Sequence, residues 1–350
     1  MHDENSHIEI SVVIPVYNTD FRLLSSCFES VERQTFQSFE VLVVDDGSTD
    51  AETIRECDSI GTNASATVFH TINKGASAAR NLGISRARGK WIAFIDADDW
   101  VETTYLQKLI SSRNEYGEQD IVFCDCMVDY RDHSVPNAFA RPSCSREFGS
   151  SENRERLLLQ LLGQNKYYNP PEIGIGVPWG KLYRRDFLLS HNIEFDTTLK
   201  LMEDNVFNLY AFKLAKSIRY IPEYLYHYNN RETSASHRFN PGIIHDFVLV
   251  HESTQHFLTT IDPDPVLQQG YYSRVIQSLH PLLRYYFFHS DYPHNRKTAY
   301  EEISKLLKQN PFKTAIESVD YSAMPPKMLS YAVLIKLRLL RLLRLIIAKE

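Results

Sequence analysis

Several features that would place a chain quickly are missing from this one. Its 350 residues hold only five cysteines, Cys27, Cys57, Cys124, Cys126 and Cys144, with no CxxC pair. Cys124 and Cys126 alternate on an extended segment and share a face, but no second cluster completes a zinc site. The reading is ordinary reduced thiols, because disulfides need oxidising compartments. No GxGxxG follows the first apolar run and no GxxxxGK[ST] occurs anywhere, which argues against the usual Rossmann dinucleotide and phosphate-loop sites. There is no internal repeat with a period of about 20–50 residues. No run of about 18 apolar residues exists, so no spanning helix is expected. The opening MHDENSHIEI is polar and acidic, without an apolar signal region. A cytoplasmic protein is expected unless the far end says otherwise. Excess positive charge is also lacking. Lys and Arg total 38 against 44 Asp and Glu, a net charge of −6, so no nucleic-acid partner is expected.

What is present is an ordinary folded composition, 43% hydrophobic and 23% charged, with length enough for one large or two modest domains. Its 20 tyrosines and 19 phenylalanines suit a sugar-facing surface and a large core equally well. Apolar, β-branched runs at 10–18, 39–50, 66–72, 90–96 and 120–128 alternate with helical patterns at 20–34, 51–59, 75–87 and 102–116. Strands apolar throughout and separated by helices predict an α/β fold, a parallel sheet with helices on both faces. Residues 129–150 read as a polar loop. A bent segment and a helix are expected over 167–189, a helix over 201–217 and an aromatic strand over 218–230.

Three of these strands end in polar clusters: Pro15 to Asn18, Asp45 to Asp50, and Asp96 to Asp99. In a parallel sheet such ends meet along one edge, where ligands bind. Asp96 and Asp98 leave a buried strand two positions apart and can share one Mn²⁺ or Mg²⁺ together with phosphate oxygens. The plainer alternative is a solvated acidic loop, with Asp99 capping the next helix. Asp46 could accept a hydrogen bond from a nucleobase or a ribose, or sit in an Asx turn. Lys74 and Gly75 precede a helix that carries Arg80, and the helix N-terminus with Arg80 could serve a diphosphate. Glu203 and Asp204 open another helix, either as dipole partners or with a general base among them. His227 is a candidate third metal ligand, or simply a packed histidine on an aromatic strand.

SVVIPVYN, VLVVDDGSTD, NKGASAARNLGI, WIAFIDADD, WGKLYRRDFL and MEDNVFNL occur in that order. The ordered set closely resembles the family-2, GT-A-fold glycosyltransferases that build bacterial surface polysaccharides, over residues 8–235. The resemblance implies a Rossmann-like, mostly parallel sheet and an inverting, metal-dependent transfer. The donor would be a nucleotide sugar, most simply UDP-linked, and the acceptor a saccharide or lipid-linked saccharide. It implies that Pro15, Tyr17 and Asp46 line the base pocket and that Arg80 lies near base or diphosphate. Asp96 would touch ribose or metal, Asp98 would bind Mn²⁺ or Mg²⁺, and Asp204 would be the catalytic base. No Gln-x-x-Arg-Trp is present, unlike the processive cellulose- or hyaluronan-type synthases. Two rivals come from other classes: a metal-dependent phosphohydrolase or nucleotidyltransferase, and a non-catalytic nucleotide-sugar-binding subunit.

The expected organisation is a catalytic domain over 1–235 and a mainly helical region over 236–350. The latter ends in one basic helix over 327–349. On a helical wheel Lys327, Arg338, Arg341, Arg344 and Lys349 fall within about 140°, Lys336 lies off that arc, and nearly everything else is aliphatic. Such a helix predicts peripheral contact with an anionic membrane at its inner face, or else packing on the domain's own core.

Overall fold

The structure is a computed structural model that describes residues 8–112, 119–140, 147–149, 151–163, 173–230, 239–261, 263–324 and 326–347. Cys144, Lys349, the side chain of Lys327, and residues 167–172 of the expected bent segment lie outside the described residues. So does the expected domain boundary at 235. The chain forms two compact units, one of residues 1–154 and 171–231, the other of residues 155–170 and 232–350.

The first unit is built on a nine-stranded sheet. Its strands are β1 (Ile10–Val16), β2 (Phe39–Asp45), β3 (Ala66–His70), β4 (Trp91–Phe94), β5 (Trp100–Val101), β6 (Ile121–Asp129), β7 (Ser134–Asn137), β8 (Lys181–Arg184) and β9 (Ile218–Asn229). They lie in the order β3-β2-β1-β4-β8-β6-β9-β5, with β7 added on β6. The helices between them are α1 (Phe21–Glu32), α2 (Ala51–Ile60), α3 (Ala76–Arg86), α4 (Tyr105–Ser111), α5 (Ser151–Leu161), α6 (Arg185–Ser190) and α7 (Glu203–Leu214). From β3 to β4 every pairing is parallel. The almost wholly buried faces of β1, β2 and β4 follow from their continuous apolar runs. Asp20 and Asp50 accept from the backbone N–H groups of Arg22 and Thr53 and so start α1 and α2. The small residues of α3 let it lie close on β1: a Cβ on Gly83 would stand 2.3 Å from Val13 Cγ1.

Beyond β4 the sheet becomes mixed. β8 runs antiparallel between β4 and β6, and β6 pairs parallel with β9. The sequence pattern hid β8 because only four residues, KLYR, form it, between a turn and α6. The segment 129–150, expected as a loop, holds β7, and Glu147 makes an isolated bridge with Arg219. An aromatic cluster locks α7 to this half. Phe195 stacks on Phe207 of α7 at 4.0 Å, Phe94 of β4 meets Phe195 edge-on at 5.4 Å, and the Tyr183 hydroxyl donates to Asn208 Oδ1 at 2.8 Å.

The second unit is helical: α8 (Ile243–Thr260), α9 (Pro265–Leu282), α10 (Arg296–Leu306), α11 (Phe312–Ser318), α12 (Pro326–Lys336) and α13 (Leu340–Ile347), with the end of α5. Asp264 caps α9 and Pro265 takes its first position, where no N–H is needed. Pro281 near the other end removes a donor, and a π-helical turn over Leu283–Phe287 follows. The expected single helix over 327–349 is instead two. Arg338 adopts φ 58°, the left-handed region, and the chain breaks between α12 and α13. The break lets Leu340, Leu343 and Ile347 turn inward. No helix among the described residues is long and apolar enough to cross a membrane.

Candidate active site

The carboxyl ends of β1 and β2 are tied together by short-range chemistry. Asn18, just past β1 with φ 47°, accepts at Oδ1 from the N–H groups of Thr49 (2.8 Å) and Asp50 (3.0 Å). Gly47 takes φ 72°, and a Cβ there would lie 2.6 Å from the Asn73 nitrogen, so only glycine lets the two loops approach. Asp45 accepts from Ser48 N–H at 2.9 Å and faces His70 Nδ1 at 2.8 Å. Burial alone would raise its pKa, but these partners hold it below the ordinary carboxylate value. Asp46 is buried and accepts from the N–H groups of Lys74 (2.8 Å) and Gly75 (2.6 Å). It therefore fixes the loop ahead of α3, while Lys74 and Tyr17 stay exposed and Pro15 half-buried at the same edge.

The acidic turn after β4 separates its carboxylates into different environments. Asp98 is exposed and Asp96 is partly so. Asp99 is 2% exposed and caps no helix. It accepts from the Tyr226 hydroxyl at 2.6 Å and from the Asn229 N–H at 2.8 Å, both on β9. The Tyr226 hydroxyl also accepts from the Asp96 N–H at 3.2 Å. Burial, then the charges of Asp96 and Asp98, push the Asp99 pKa well up. Tyr226 is itself stacked on Trp179 at 4.2 Å and 5°. Asp99 is thus a structural brace, and Asp96 and Asp98 remain as an all-oxygen pair at the strand end. Such a pair fits a hard divalent ion whose other ligands come from diphosphate and water. Among the described residues no group of three His, Cys, Asp or Glu side chains is gathered as a metal site.

Arg80, on α3, is buried and joins two carboxylates. Its Nη2 donates to Asp96 Oδ1 at 2.9 Å and its Nη1 to Glu203 Oε1 at 3.2 Å. Burial opposes its charge, yet Asp96 and Glu203 outweigh burial and raise its pKa. Its Nε has no hydrogen-bond partner among the described residues. The guanidinium spans from the acidic turn to the first residue of α7, and Asp204 follows. Met202, immediately before α7, is held at φ 56°, a strained conformation for a non-glycine residue. Asp204 accepts from the Asn205 N–H at 2.7 Å. Burial, then the Glu203 charge, push its pKa up to about 7, with Arg80 opposing. A carboxylate poised there can take a proton near neutral pH. Asn208, one turn on, donates to the Gly176 carbonyl at 2.7 Å. The buried Lys181 donates to the Val177 carbonyl at 2.6 Å, so the 176–180 segment is tied to α7 and β8.

His227 is nearly buried and stacks on Trp100 at 3.5 Å. Both ring nitrogens face carboxylates: Nδ1 lies 3.0 Å from Asp129 Oδ2 and Nε2 lies 3.2 Å from Glu102 Oε1. Asp129 is largely buried, whereas the Glu102 side chain is 45% exposed.

Two structural parts of this site escaped the sequence pattern: Tyr226, and Glu203 as the partner of Arg80. Asn18 carried a signal, an asparagine directly after a strand, where turns form. Tyr226 and Glu203 carried none, because their partners lie 127 and 123 residues away.

Residues 11–189 match the model of the glycosyl transferase family 2 domain. The chain is 30% identical over 251 residues to the putative glycosyltransferase EpsH of Bacillus subtilis, spanning 71% of this chain and 69% of that protein. Among solved structures, S. aureus TarS residues 1–349 in complex with UDP-GlcNAc superposes with a TM-score of 0.65 at 19% identity. That match spans 94% of this chain and 88% of the other. A mannosyltransferase from Pyrobaculum calidifontis, in complex with GDP-Man and Mn²⁺, superposes with a TM-score of 0.52 at 14% identity, over 95% and 87% of the two chains. The α/β architecture and helical C-terminal region are accordingly those of the GT-A class.

Proposed function

The chain belongs to glycosyl transferase family 2 and is a glycosyltransferase; from that premise we propose that it moves a sugar from a UDP-linked donor to a hydroxyl of a saccharide acceptor, with inversion. The observation that carries the reading is the Asp96–Arg80–Glu203 chain. It sets the acidic turn at the donor edge of the sheet beside the helix start that bears Asp204. Pro15, Tyr17, Asp46 and Lys74 line the nucleotide's edge, Asp46 mainly by fixing the loop ahead of α3. Asp96 and Asp98 would hold Mn²⁺ or Mg²⁺, which offsets the diphosphate charge when bound. His227 would add a third ligand through Nε2 only if that nitrogen left Glu102, since no three-residue metal group is gathered among the described residues. Its Nδ1 contact with Asp129 has the form that orients metal-bound histidines, and the exposed Glu102 can give way.

In the transfer, Asp204 accepts the proton of the acceptor hydroxyl. That oxygen bonds to the anomeric carbon from the face opposite the diphosphate, and the bond from that carbon to the diphosphate oxygen breaks with its electron pair. UDP leaves, and an α-linked donor gives a β-glycoside. No covalent bond to the protein forms. The acceptor is a lipid-linked saccharide, and the aliphatic surface of α13 supports peripheral contact with the membrane that carries it. The testing measurement is calorimetry of the full chain with UDP-sugars, with and without Mn²⁺, beside a UDP-release assay. Metal-assisted donor binding and release of UDP rather than phosphate are expected. Phosphate release would favour a phosphohydrolase, and absence of donor binding would remove the reading.

A further inference from the structure

The helical unit exposes a surface that the transfer reaction does not use. α13 has apolar residues on two faces. Leu340, Leu343 and Ile347 are buried, while Leu342, Leu345 and Ile346 face solvent, as do Leu337 and Leu339 in the break before it. Leu337 and Leu345 are 61% and 62% exposed. Five aliphatic side chains this close together are uncommon on a surface that meets only water.

Beside them lies an open cleft of about 930 Å³ between α10 and the α12–α13 turn. Arg296, Lys297 and Lys305 of α10, with Lys308 just past its end, line one wall, and Arg338 and Arg341 the other. The one carboxylate in the lining is Glu301, 4.0 Å from Lys297. Arg338 donates to the Leu307 carbonyl at 3.1 Å, which holds the turn against the end of α10. In a chain of net charge −6, six cations against one anion is a local inversion of sign.

We infer that this cleft seats the phosphate headgroups of an anionic phospholipid bilayer while Leu337, Leu339, Leu342, Leu345 and Ile346 enter the acyl boundary. The inference rests on the membrane contact proposed above and assigns it residues. The break at Arg338 matters, because Leu339 and Leu342, on and just past it, line the same opening as the cations. Basic side chains flanking an aliphatic helix face are the composition of interfacial helices. A protein partner fits less well: the cores of protein interfaces are depleted of charge and of lysine, whereas this cleft has three lysines and three arginines in its lining beside a single aromatic residue, Tyr300.

The test is flotation of the full chain with vesicles of phosphatidylcholine, with and without phosphatidylglycerol. The chain should bind the anionic vesicles at least about tenfold better, and lose them as salt rises from about 0.1 M to 1 M. K305E/K308E/R341E alters exposed side chains only and should lower that binding by about 100-fold with melting temperature unchanged. L342S/L345S should lower it severalfold. UDP release from donor and a soluble acceptor should stay at the wild-type rate in both variants. If wild type binds anionic vesicles and the charge-reversed variant binds equally well, membrane contact stands and the cleft assignment falls. If wild type binds no vesicles, both fall. Displacement by millimolar inorganic phosphate, beyond that by chloride of equal ionic strength, would assign the cleft to free phosphate and overturn the inference.

Discussion

Strands β3, β2, β1 and β4 pair in parallel through short helical crossovers, and their polar ends are held by neighbours of the same half. Asn18 reaches Thr49 and Asp50, and Asp46 reaches Lys74 and Gly75. Strands β8, β6, β9 and β5 pair out of chain order and in both directions. Their contribution to the site is long-range: Tyr226 and Asn229 take Asp99 out of solvent, and α7 brings Glu203 to Arg80. The difference teaches that one half builds the edge proposed for the donor by turn chemistry, and the other decides what each acid there does. Asp98 and Asp99 are adjacent in the chain and chemically identical. One faces water and the other braces β9.

That division can be broken most sharply at Asp204. Asp204→Asn should lower turnover by about 1000-fold, in the range for loss of a general base, while donor affinity measured by calorimetry changes less than about twofold. Equal loss of both would mean the two halves do not divide donor binding from catalysis. The same residue sets a pH dependence. With its pKa pushed up to about 7 by burial and Glu203, Asp204 would be protonated, and inactive as the proposed base, below that value. Turnover should therefore rise with pH through about 7 and level off above it. The raised pKa also means that ionising Asp204 costs folding stability as pH climbs from its unfolded value toward 7. The melting temperature of Asp204→Asn relative to wild type should accordingly be higher at about pH 8 than at about pH 5.

Asp98→Ala tests the donor edge. Donor affinity should fall by about 100-fold with Mn²⁺ present and change little without it, as the metal-ligand role proposed for Asp98 requires. An equal loss in both conditions would assign Asp98 a direct contact instead. Tyr226→Phe tests the brace between halves. It leaves buried Asp99 and the Asp96 N–H each short of a partner, which costs about 1–3 kcal/mol. Urea unfolding should register that loss, and turnover should drop about tenfold as the acidic turn loosens. The smallest catalytic effect belongs to Gly83→Ala. Its Cβ would meet Val13 at 2.3 Å, so overpacking should cost about 1–3 kcal/mol in urea unfolding. Transfer well below the melting point should stay near wild type, since Gly83 supports the sheet and not the acids.

The sequence made the first half legible and much of the second illegible, for a reason visible in single elements. β1, β2 and β4 are continuous apolar runs with turn residues at their ends, and each signal lies within a few residues of what it specifies. β8 is too short to show a period. The break at Arg338 was hidden as well. An unbroken aliphatic pattern reads as one helix, and only packing could show that half of its leucines had somewhere to go. His227 read more readily as a packed ring than as a ligand. Its position between Asp129 and Glu102 depends on the pairing of β9 with β5 and β6, which no local pattern carries.

By itself the sequence determined the family, the strand–helix alternation, and the edge at which the polar clusters of Asn18, Asp46 and Asp96 gather, because periodicity and turn chemistry act over a few residues. The tertiary structure alone decided which acids are solvated, which is buried against Tyr226, and that Arg80 links the acidic turn to Asp204's helix. Those outcomes depend on burial and on charges brought within hydrogen-bond distance across more than a hundred residues, and only the folded chain sets them.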